Sequence, residues 1–499
     1  MPAHRTPSAS LKEACFFFLI AALAAFANPR GVWAAGLSPE RGPLWLGDSG
    51  VDVAAARARH NETHAAWLRW EQANLDGDYE RFGKKDPRWD ADVHACLDAF
   101  AQAVVVREED AKALVAAARA AGKRAVAAGC DDPLFRYVAL RVAAIPVDGS
   151  ATINAQRYAE AEANLEKTGY SIVIKCYASL RAGTNASDAL RYERLMGKRI
   201  DAVPGADPAA SLERAFTHLV EALRDPTIPS GAIHDLTNNV VEAAQKIDLG
   251  PTKILQPLER AFGSGGLKDA KETATLRMAE GIFWMQYGFS SAEQLQKAQT
   301  ALEKAYALDP SESLICNCML AVERGLSPNR ERMETWFRRA MNADPDDYVA
   351  CQRKMYYLES QSYGSKEGML KFGRQCVATR NWQARLPWLL EDAHQKLAKR
   401  AFDQSETEYK AYWKWPATWR DMELFYEAAM AAQPDSATVQ SGYASAAYDA
   451  EQWKLLCELL AMLGDKVDVH AIGGSDRLEA IRREVAEQVQ QAKPEYKDN

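Results

Sequence analysis

The chain has 499 residues, 47% of them hydrophobic and 26% charged, and its formal net charge at pH 7 is −7. This composition excludes a disordered chain, and mild acidity without a Lys/Arg cluster argues against a nucleic-acid partner. The length exceeds what one ordinary hydrophobic core can hold, so the chain needs several domains or a repeat array. Alanine is abundant and β-branched runs are scarce, which favours helices nearly throughout.

The N-terminus has the features of a secretory signal peptide. Basic residues precede a short apolar run, Cys15–Ala27, which is shorter than the ~20 residues that a membrane-spanning helix needs. We predict a signal peptide over residues 1–34, cleaved after Ala34 or after Ala27, and a secreted or periplasmic protein. An uncleaved N-terminal anchor is the alternative, and we expect no integral membrane segment beyond this signal.

Loop-forming residues and helical periodicity organise the rest of the chain. Gly and Pro residues predict irregular structure over 35–60, and the glycine-rich segment 263–266 predicts a linker with a domain boundary at 265/266. Acidic residues cluster at several predicted turns, where most of them are interpreted as caps of the following helix: Asp131 and Asp132, Asp344 with Asp346 and Asp347, and Asp435. The predicted helices are Asp90–Ala103, Arg107–Gly129, Pro133–Ala144, Ala155–Lys167, Tyr170–Ala182, Ser187–Ile200, Pro208–Arg224, Ser230–Ile247 and Pro251–Gly263.

Eight cysteines follow the signal peptide, and an even number in an exported protein permits disulfides. The best single candidate is Cys96–Cys130, because each lies on one arm of a predicted helical hairpin. The alternative is that these thiols are free and buried, since cysteine is among the most buried residue types.

The segment 403–416 is interpreted as a linker rich in aromatic residues. Five aromatic side chains crowd this short stretch and its end: Tyr409, Tyr412, Trp413, Trp415 and Trp419. They would form either an aromatic plug between neighbouring helical units or an exposed platform for a glycan or peptide. Aromatic rings provide large contact area in both roles, so both interpretations stay open here.

A motif that ends in proline recurs along the C-terminal half. Pro310 and Pro345 are 35 residues apart, and a third copy ends at Pro434. Five residues before each proline stands an alanine, and eight before it stands a bulky apolar residue: Ala305, Ala340 and Ala429, with Leu302, Phe337 and Tyr426. Such a period is typical of helical hairpins. We expect the alanines at tight, buried helix crossings and the prolines to end the helices.

This pattern resembles the tetratricopeptide repeat family, with Ala298, Leu302, Ala305 and Pro310 matching the second helix of a unit. The copies are degenerate, because 89 residues separate Pro345 from Pro434. The stretch 336–358 also resembles exported bacterial proteins for which only a domain of unknown function is recorded. The resemblance implies an all-α fold: a right-handed helical-hairpin solenoid of tetratricopeptide-like repeats with an N-terminal helical region. The predicted domains are 35–265, the N-terminal helical region; 266–402, the repeats; and 403–499, a C-terminal helical repeat region.

Within that family the first helix of each unit lines a concave groove. Counting from the prolines, the residues implied to face the groove are Asn317, Gln352, Tyr356, Ser445 and Tyr448. Gln352 and Tyr356 are four apart and so share one helix face. The alternative for each is an ordinary solvated or half-buried helix residue.

No motif in the sequence predicts a catalytic centre, a metal site or a cofactor. His60 and His64 are one helical turn apart, but they lack the HExxH order and a third ligand. We therefore expect a non-enzymatic exported scaffold that binds a protein or peptide partner, of undetermined oligomeric state. The alternative is an all-α barrel enzyme acting on polysaccharide, a glycoside hydrolase or lyase, which would need two carboxylates in one cleft.

Overall fold

The computed structural model describes residues 52–491 except 107, 146–149, 198–201, 248–250, 264–266, 268–269, 288–290, 327–328 and 360–363. The predicted signal peptide, residues 1–34, lies outside the described residues. Over those that are described, the fold is all-helical, and the only β-type pairing is one isolated bridge between Val203 and Ala206. The prediction of an all-α protein is confirmed.

The described chain divides into two compact units, residues 54–326 and 329–491. This division does not coincide with the boundaries that the sequence predicted at 265/266 and 402/403. Each unit is described separately below.

The first unit contains thirteen of the described helices. They are α1 Val53–Gln72, α2 Asp78–Phe82, α3 Asp90–Val105, α4 Glu108–Ala127, α5 Pro133–Arg141, α6 Ala151–Leu165, α7 Ile172–Leu195, α8 Pro208–Ala222, α9 Ser230–Lys246, α10 Pro251–Gly263, α11 Ala274–Tyr287, α12 Ala292–Leu308 and α13 Ser313–Leu326. A π-helical segment, Ala73–Gly77, joins α1 to α2.

Nine described helices form the second unit. They are α14 Arg330–Ala343, α15 Tyr348–Tyr357, α16 Lys366–Ala378, α17 Leu389–Gln404, α18 Glu406–Lys414, α19 Pro416–Ala432, α20 Ala437–Asp449, α21 Trp453–Leu463 and α22 Ser475–Gln491.

Side-chain caps start several of these helices. Asp132 accepts a hydrogen bond from the backbone N–H of Phe135 at 3.0 Å, and Asp347 accepts one from that of Ala350 at 2.9 Å. Pro133 directly follows the Asp132 cap, in the first turn of α5, where a missing N–H is tolerated. Both aspartates therefore have the capping role that the sequence predicted.

Helices pack on their chain neighbours and also on the next helix but one. In the first unit α7, α9, α11 and α13 contact one another in series, and in the second unit α15, α17 and α19 do so. Alternate helices therefore form a layer within each unit.

The repeat positions lie where the hairpin interpretation requires small or buried groups. Ala305, Ala340 and Ala429 are fully buried, and the three bulky partner residues are at most 2% exposed. Each of the helices α12, α14 and α19 ends two residues before its motif proline. Both expectations for the repeat motif are confirmed.

Three local predictions are wrong. Residues 53–60 belong to α1 and are not irregular. The two helices predicted over 170–200 are one, because Asn185 Nδ2 donates to the carbonyl of Arg181 at 2.8 Å and Gly183 packs closely on α8. The predicted linker 403–416 is mostly the helix α18, whose first turn is capped by Ser405. Short runs of polar or aromatic residues are therefore not reliable signs of a loop, because tertiary packing can support a helix there.

The predicted disulfide partners occupy one hydrophobic core. Cys96 and Cys130 are both buried in the core cluster that α3, α4 and α5 share, and both are free thiols in the structure. Burial raises the pKa of the Cys96 thiol to about 12, with a smaller contribution from the charge of Cys130. The pairing itself stays a prediction.

Candidate functional site

Two of the five predicted groove residues lie on one half-buried face of α15. Tyr348, Gln352 and Tyr356 recur every four residues, so they form a row along the helix. The residues between them, such as Cys351 and Met355, point into the core and are at most 1% exposed. Gln352 and Tyr356 are therefore on the side of α15 that solvent reaches.

A matching row lies on α17. Asp392, Lys396 and Arg400 also recur every four residues and are half-buried. Tyr348 donates a hydrogen bond to Asp392 Oδ2 at 3.0 Å, and Lys396 Nζ lies 3.8 Å from the ring centroid of Tyr356. We call these six residues, three from each helix, the α15–α17 face.

Ion pairs hold the far end of this face in place. Glu359, just after α15, contacts Lys396 Nζ at 3.2 Å and Arg400 Nη2 at 2.6 Å. Because all three side chains are at most 29% exposed, these pairs are better shielded from salt than fully exposed ones. The basic side chains are thereby positioned before any partner arrives.

Burial changes the electrostatics of the carboxylates beside this face. It raises the pKa of Asp392, although the hydrogen bond from Tyr348 and the charges of Lys396 and Arg385 act in the opposite direction. Burial likewise raises the pKa of the neighbouring Glu391 to about 7, even though Tyr426 donates a hydrogen bond to it at 2.8 Å. Both side chains are half-buried in the structure.

The α15–α17 face combines groups that recognise extended polypeptide. The Gln352 amide can donate to and accept from a backbone, and the two tyrosine rings provide flat contact area. Lys396 and Arg400 add positive charge, which the sequence analysis missed. The spacing of Asp392, Lys396 and Arg400 at four-residue intervals was the signal that could have found them.

Of the other three predicted groove residues, Asn317 is buried, whereas Ser445 and Tyr448 are half-buried, as Gln352 and Tyr356 are. Asn317 on α13 is 4% exposed. Ser445 accepts a hydrogen bond from Arg477 Nη2 at 3.1 Å, and Tyr448 donates one to Glu484 at 2.9 Å. Both partners belong to α22, which therefore covers this part of α20.

The aromatic cluster of the former linker fits the plug better than the platform. Trp413 is 3% exposed, and the Trp419 ring stacks on Tyr443 with centroids 6.1 Å apart. Tyr412 lies against the buried His394, with its hydroxyl 2.8 Å from the imidazole Nδ1. Trp415 is the exception, being 49% exposed.

A polar cleft in the first unit is a second group of chemically interesting residues. Gln72, Asp76, His94, Ala95 and Asp98 line it. His94 lies between two carboxylates: its Nδ1 contacts Asp76, and its Nε2 lies 2.8 Å from Glu80. Asp76 belongs to the π-helical segment, a distortion that is frequent at functional sites. A carboxylate contacts each imidazole nitrogen, so the orientation of the His94 ring is fixed from both sides.

Of the two histidines one helical turn apart, His60 and His64, the second has a structural role. His64 is 6% exposed, and its Nε2 lies 3.0 Å from the carbonyl oxygen of Val105. In the part of the chain that the structure describes, no group of three or more His, Cys, Asp or Glu side chains could hold a metal ion. Nor is any helix of that part both long enough and apolar enough to cross a membrane.

No model of a protein family matches this chain, and no curated protein matches it either. The function proposed below therefore depends on the geometry of the chain itself.

Proposed function

We propose that this chain is a non-enzymatic exported scaffold that binds a protein or peptide partner on the concave side of a right-handed solenoid of tetratricopeptide-like hairpins. The support for export is the signal-like pattern of residues 1–34. The solenoid is supported by the layer of alternate helices and by the three buried repeat alanines.

The observation that carries the proposal is the α15–α17 face. Gln352 and Tyr356, which the repeat register selected, are half-buried and lie beside Lys396 and Arg400 of α17, the two bases that Glu359 positions. A peptide with acidic residues would gain hydrogen bonds from Gln352, contact with Tyr356 and charge pairing with Lys396. Stacked hairpins use their first helices in this way to hold extended segments.

The test is site-specific photo-cross-linking in the cells that produce the protein. A photoreactive residue at position 352 should cross-link one defined protein. The same residue at position 338, which is exposed on α14, is the control and should not capture that protein. Equal capture from both positions would contradict the proposed face.

A binding measurement with the captured partner completes the test. The double variant Gln352→Ala/Tyr356→Ala should weaken binding about tenfold or more, the loss expected of a contact worth ~1.4 kcal/mol, whereas Arg338→Ala should not change it. Turnover of a polysaccharide by the purified chain, abolished by changing one Asp or Glu, would instead support the barrel enzyme.

A further inference from the structure

The C-terminal helix α22 contacts the two predicted groove residues of α20. Arg477 Nη2 donates a hydrogen bond to Ser445 Oγ at 3.1 Å and lies 2.8 Å from both carboxylate oxygens of Asp449. Tyr448 donates a hydrogen bond to Glu484 at 2.9 Å, and its ring centroid lies 5.4 Å from the Arg477 guanidinium. Side chains of α22 therefore make polar contacts at two positions that the repeat register assigns to a partner.

These contacts come from one stripe of α22. Arg477 and Glu484 are seven residues apart, which is about two turns, so they lie on one face of the helix. Leu478 and Ile481 lie between them and are 7% and 0% exposed. Glu479, on the opposite side of the helix, is exposed. The helix is therefore bound as an amphipathic ligand would be, by two apolar side chains with one charged group at each end.

Two glycines join α22 to the chain before it. Gly473 has a φ of +99° and Gly474 a φ of +110°, which are backbone conformations that other residues rarely adopt. A Cβ at Gly473 would come within 2.7 Å of Arg477 Cδ. Because glycine adopts negative φ values equally well, this joint can change direction without strain. The contacts between α20 and α21 do not involve α22, so they can persist when it leaves.

The ion pair that holds α22 is not the strongest that an arginine can form. Nη2 of Arg477 alone makes the contacts with Ser445 and Asp449, whereas a forked pair uses two guanidinium nitrogens. The buried Nε of Arg477 has no hydrogen-bond partner in the part of the chain that the structure describes. Because a buried donor without an acceptor weakens an interaction, a segment of another molecule with better-matched groups can replace α22.

We propose that α22 is an autoinhibitory segment, which occupies the surface of α20 around Ser445, Tyr448 and Asp449 until a partner displaces it. The partner segment that fits this surface is an amphipathic helix. It presents a basic group to Asp449, apolar side chains in the places of Leu478 and Ile481, and a carboxylate to Tyr448. The inference rests on the proposed function, because it describes how access to the partner surface is controlled.

A peptide with the sequence of residues 475–491 tests the displacement without any partner. Fluorescence anisotropy measures its binding to the full-length chain. The parent should bind the peptide weakly, because the surface is free only in the fraction of molecules whose α22 has left. The variant Arg477→Gln/Glu484→Gln, whose own α22 is held less tightly, should bind the peptide at least tenfold more tightly. Equal affinity of the two proteins, or no binding to the folded variant, would overturn the proposal.

Matched variants separate displacement from a general effect of charge. Arg482→Gln/Glu487→Gln changes the same charges at exposed positions of α22 and should bind the peptide as the parent does. A peptide carrying Arg477→Gln should bind the opened variant less tightly, because it lacks the group that pairs with Asp449. If the double variant does not fold, Glu484→Gln alone should increase the peptide affinity by a smaller factor, and unchanged affinity there would refute displacement.

The opened variant then tests the control of partner binding. Arg477→Gln/Glu484→Gln should bind the partner that is cross-linked at position 352 at least threefold more tightly than the parent does, and unchanged affinity would contradict autoinhibition. The peptide experiment needs no partner, so its failure refutes the displacement of α22 and leaves the α15–α17 face to be judged by cross-linking. Failure of the cross-linking would refute the proposed function and not the peptide result.

Discussion

Glu71 shows how a single buried carboxyl makes stability depend on pH. It is 5% exposed and accepts a hydrogen bond from Trp67 Nε1 at 3.0 Å, yet burial raises its pKa to about 7. Because this folded-state pKa is above the ordinary value of 4.5, the folded chain holds the proton more tightly than the unfolded chain. Stability from this group is fully present below pH 4.5 and is lost as pH rises to about 7.

Glu71→Gln should therefore stabilise the protein under mildly alkaline conditions. At pH 8 the free energy of unfolding should rise by about 3 kcal/mol, because the amide never has to be buried as a charge. Below pH 4.5 the variant and the parent should be equally stable. Urea unfolding at both pH values measures this, with the exposed Glu62→Gln on the same helix as a control. The same stabilisation at pH 4 and pH 8 would show that the ionisation of Glu71 is not the cause.

The elements are held together by close helix crossings and by buried polar networks. Leu302 of α12 lies directly over Gly281 of α11, where an added Cβ would come within 2.4 Å of Leu302 Cγ. In the second unit, Asp421 of α19 accepts two hydrogen bonds at 2.7 Å from Arg374 of α16 and contacts the buried His394 of α17 at 3.1 Å. The crossing thus joins two helices, and the network joins three.

Gly281→Ala tests the helix crossing. Alanine improves helix propensity by about 1 kcal/mol, yet the clash with Leu302 should reduce the free energy of unfolding by a net ~1–2 kcal/mol. Gly263→Ala, where an added Cβ meets nothing within 4 Å, should not destabilise the protein. The double variant Gly281→Ala/Leu302→Ala should lose less free energy of unfolding than the sum of the losses of the two single variants. Strict additivity would show that the two residues do not contact each other.

Asp421→Asn tests the polar network. Burial acts to raise the pKa of Asp421, but the hydrogen bonds from His394 and Arg374 outweigh it and the pKa is lowered. The carboxylate therefore stabilises the fold above pH 3.8, and this stability is lost as pH falls through the lowered pKa. The variant should lose about 2 kcal/mol at pH 7, less than a fully buried pair would, because Arg374 is 46% exposed. Chemical denaturation measures the loss, and the exposed Asp435→Asn should show none.

At the scale of the whole molecule, the stability of the fold depends on whether its buried cysteines meet an oxidising compartment. Cys96 and Cys130 share the core of the first unit. In the second unit, Cys351 and Cys376 are also buried, and the Cys351 thiol contacts Met341 Sδ at 3.7 Å. Which of these thiols form a disulfide in an oxidising compartment bears on stability.

Peptide mapping without reduction tests the predicted disulfide. In protein exported to an oxidising compartment, Cys96 should be found linked to Cys130, and reduction should lower the free energy of unfolding by about 3 kcal/mol because a long loop is released. The partly exposed Cys457 should remain open to alkylation and provides the control. Recovery of Cys96 and Cys130 as free thiols would contradict the pairing, whereas a Cys351–Cys376 link would place the cross-link in the second unit.

The sequence by itself determined the helical class, the helix ends at the motif prolines and the burial of the repeat alanines, because these depend on residue spacing along one or two helices. Only the tertiary structure decided which helix faces stay open. The α22 helix contacts Ser445 and Tyr448, whereas α17 places Lys396 against the ring of Tyr356. Local periodicity specifies which face of a helix is apolar and which is polar. The packing of the helices decides which distant side chains then cover the polar face.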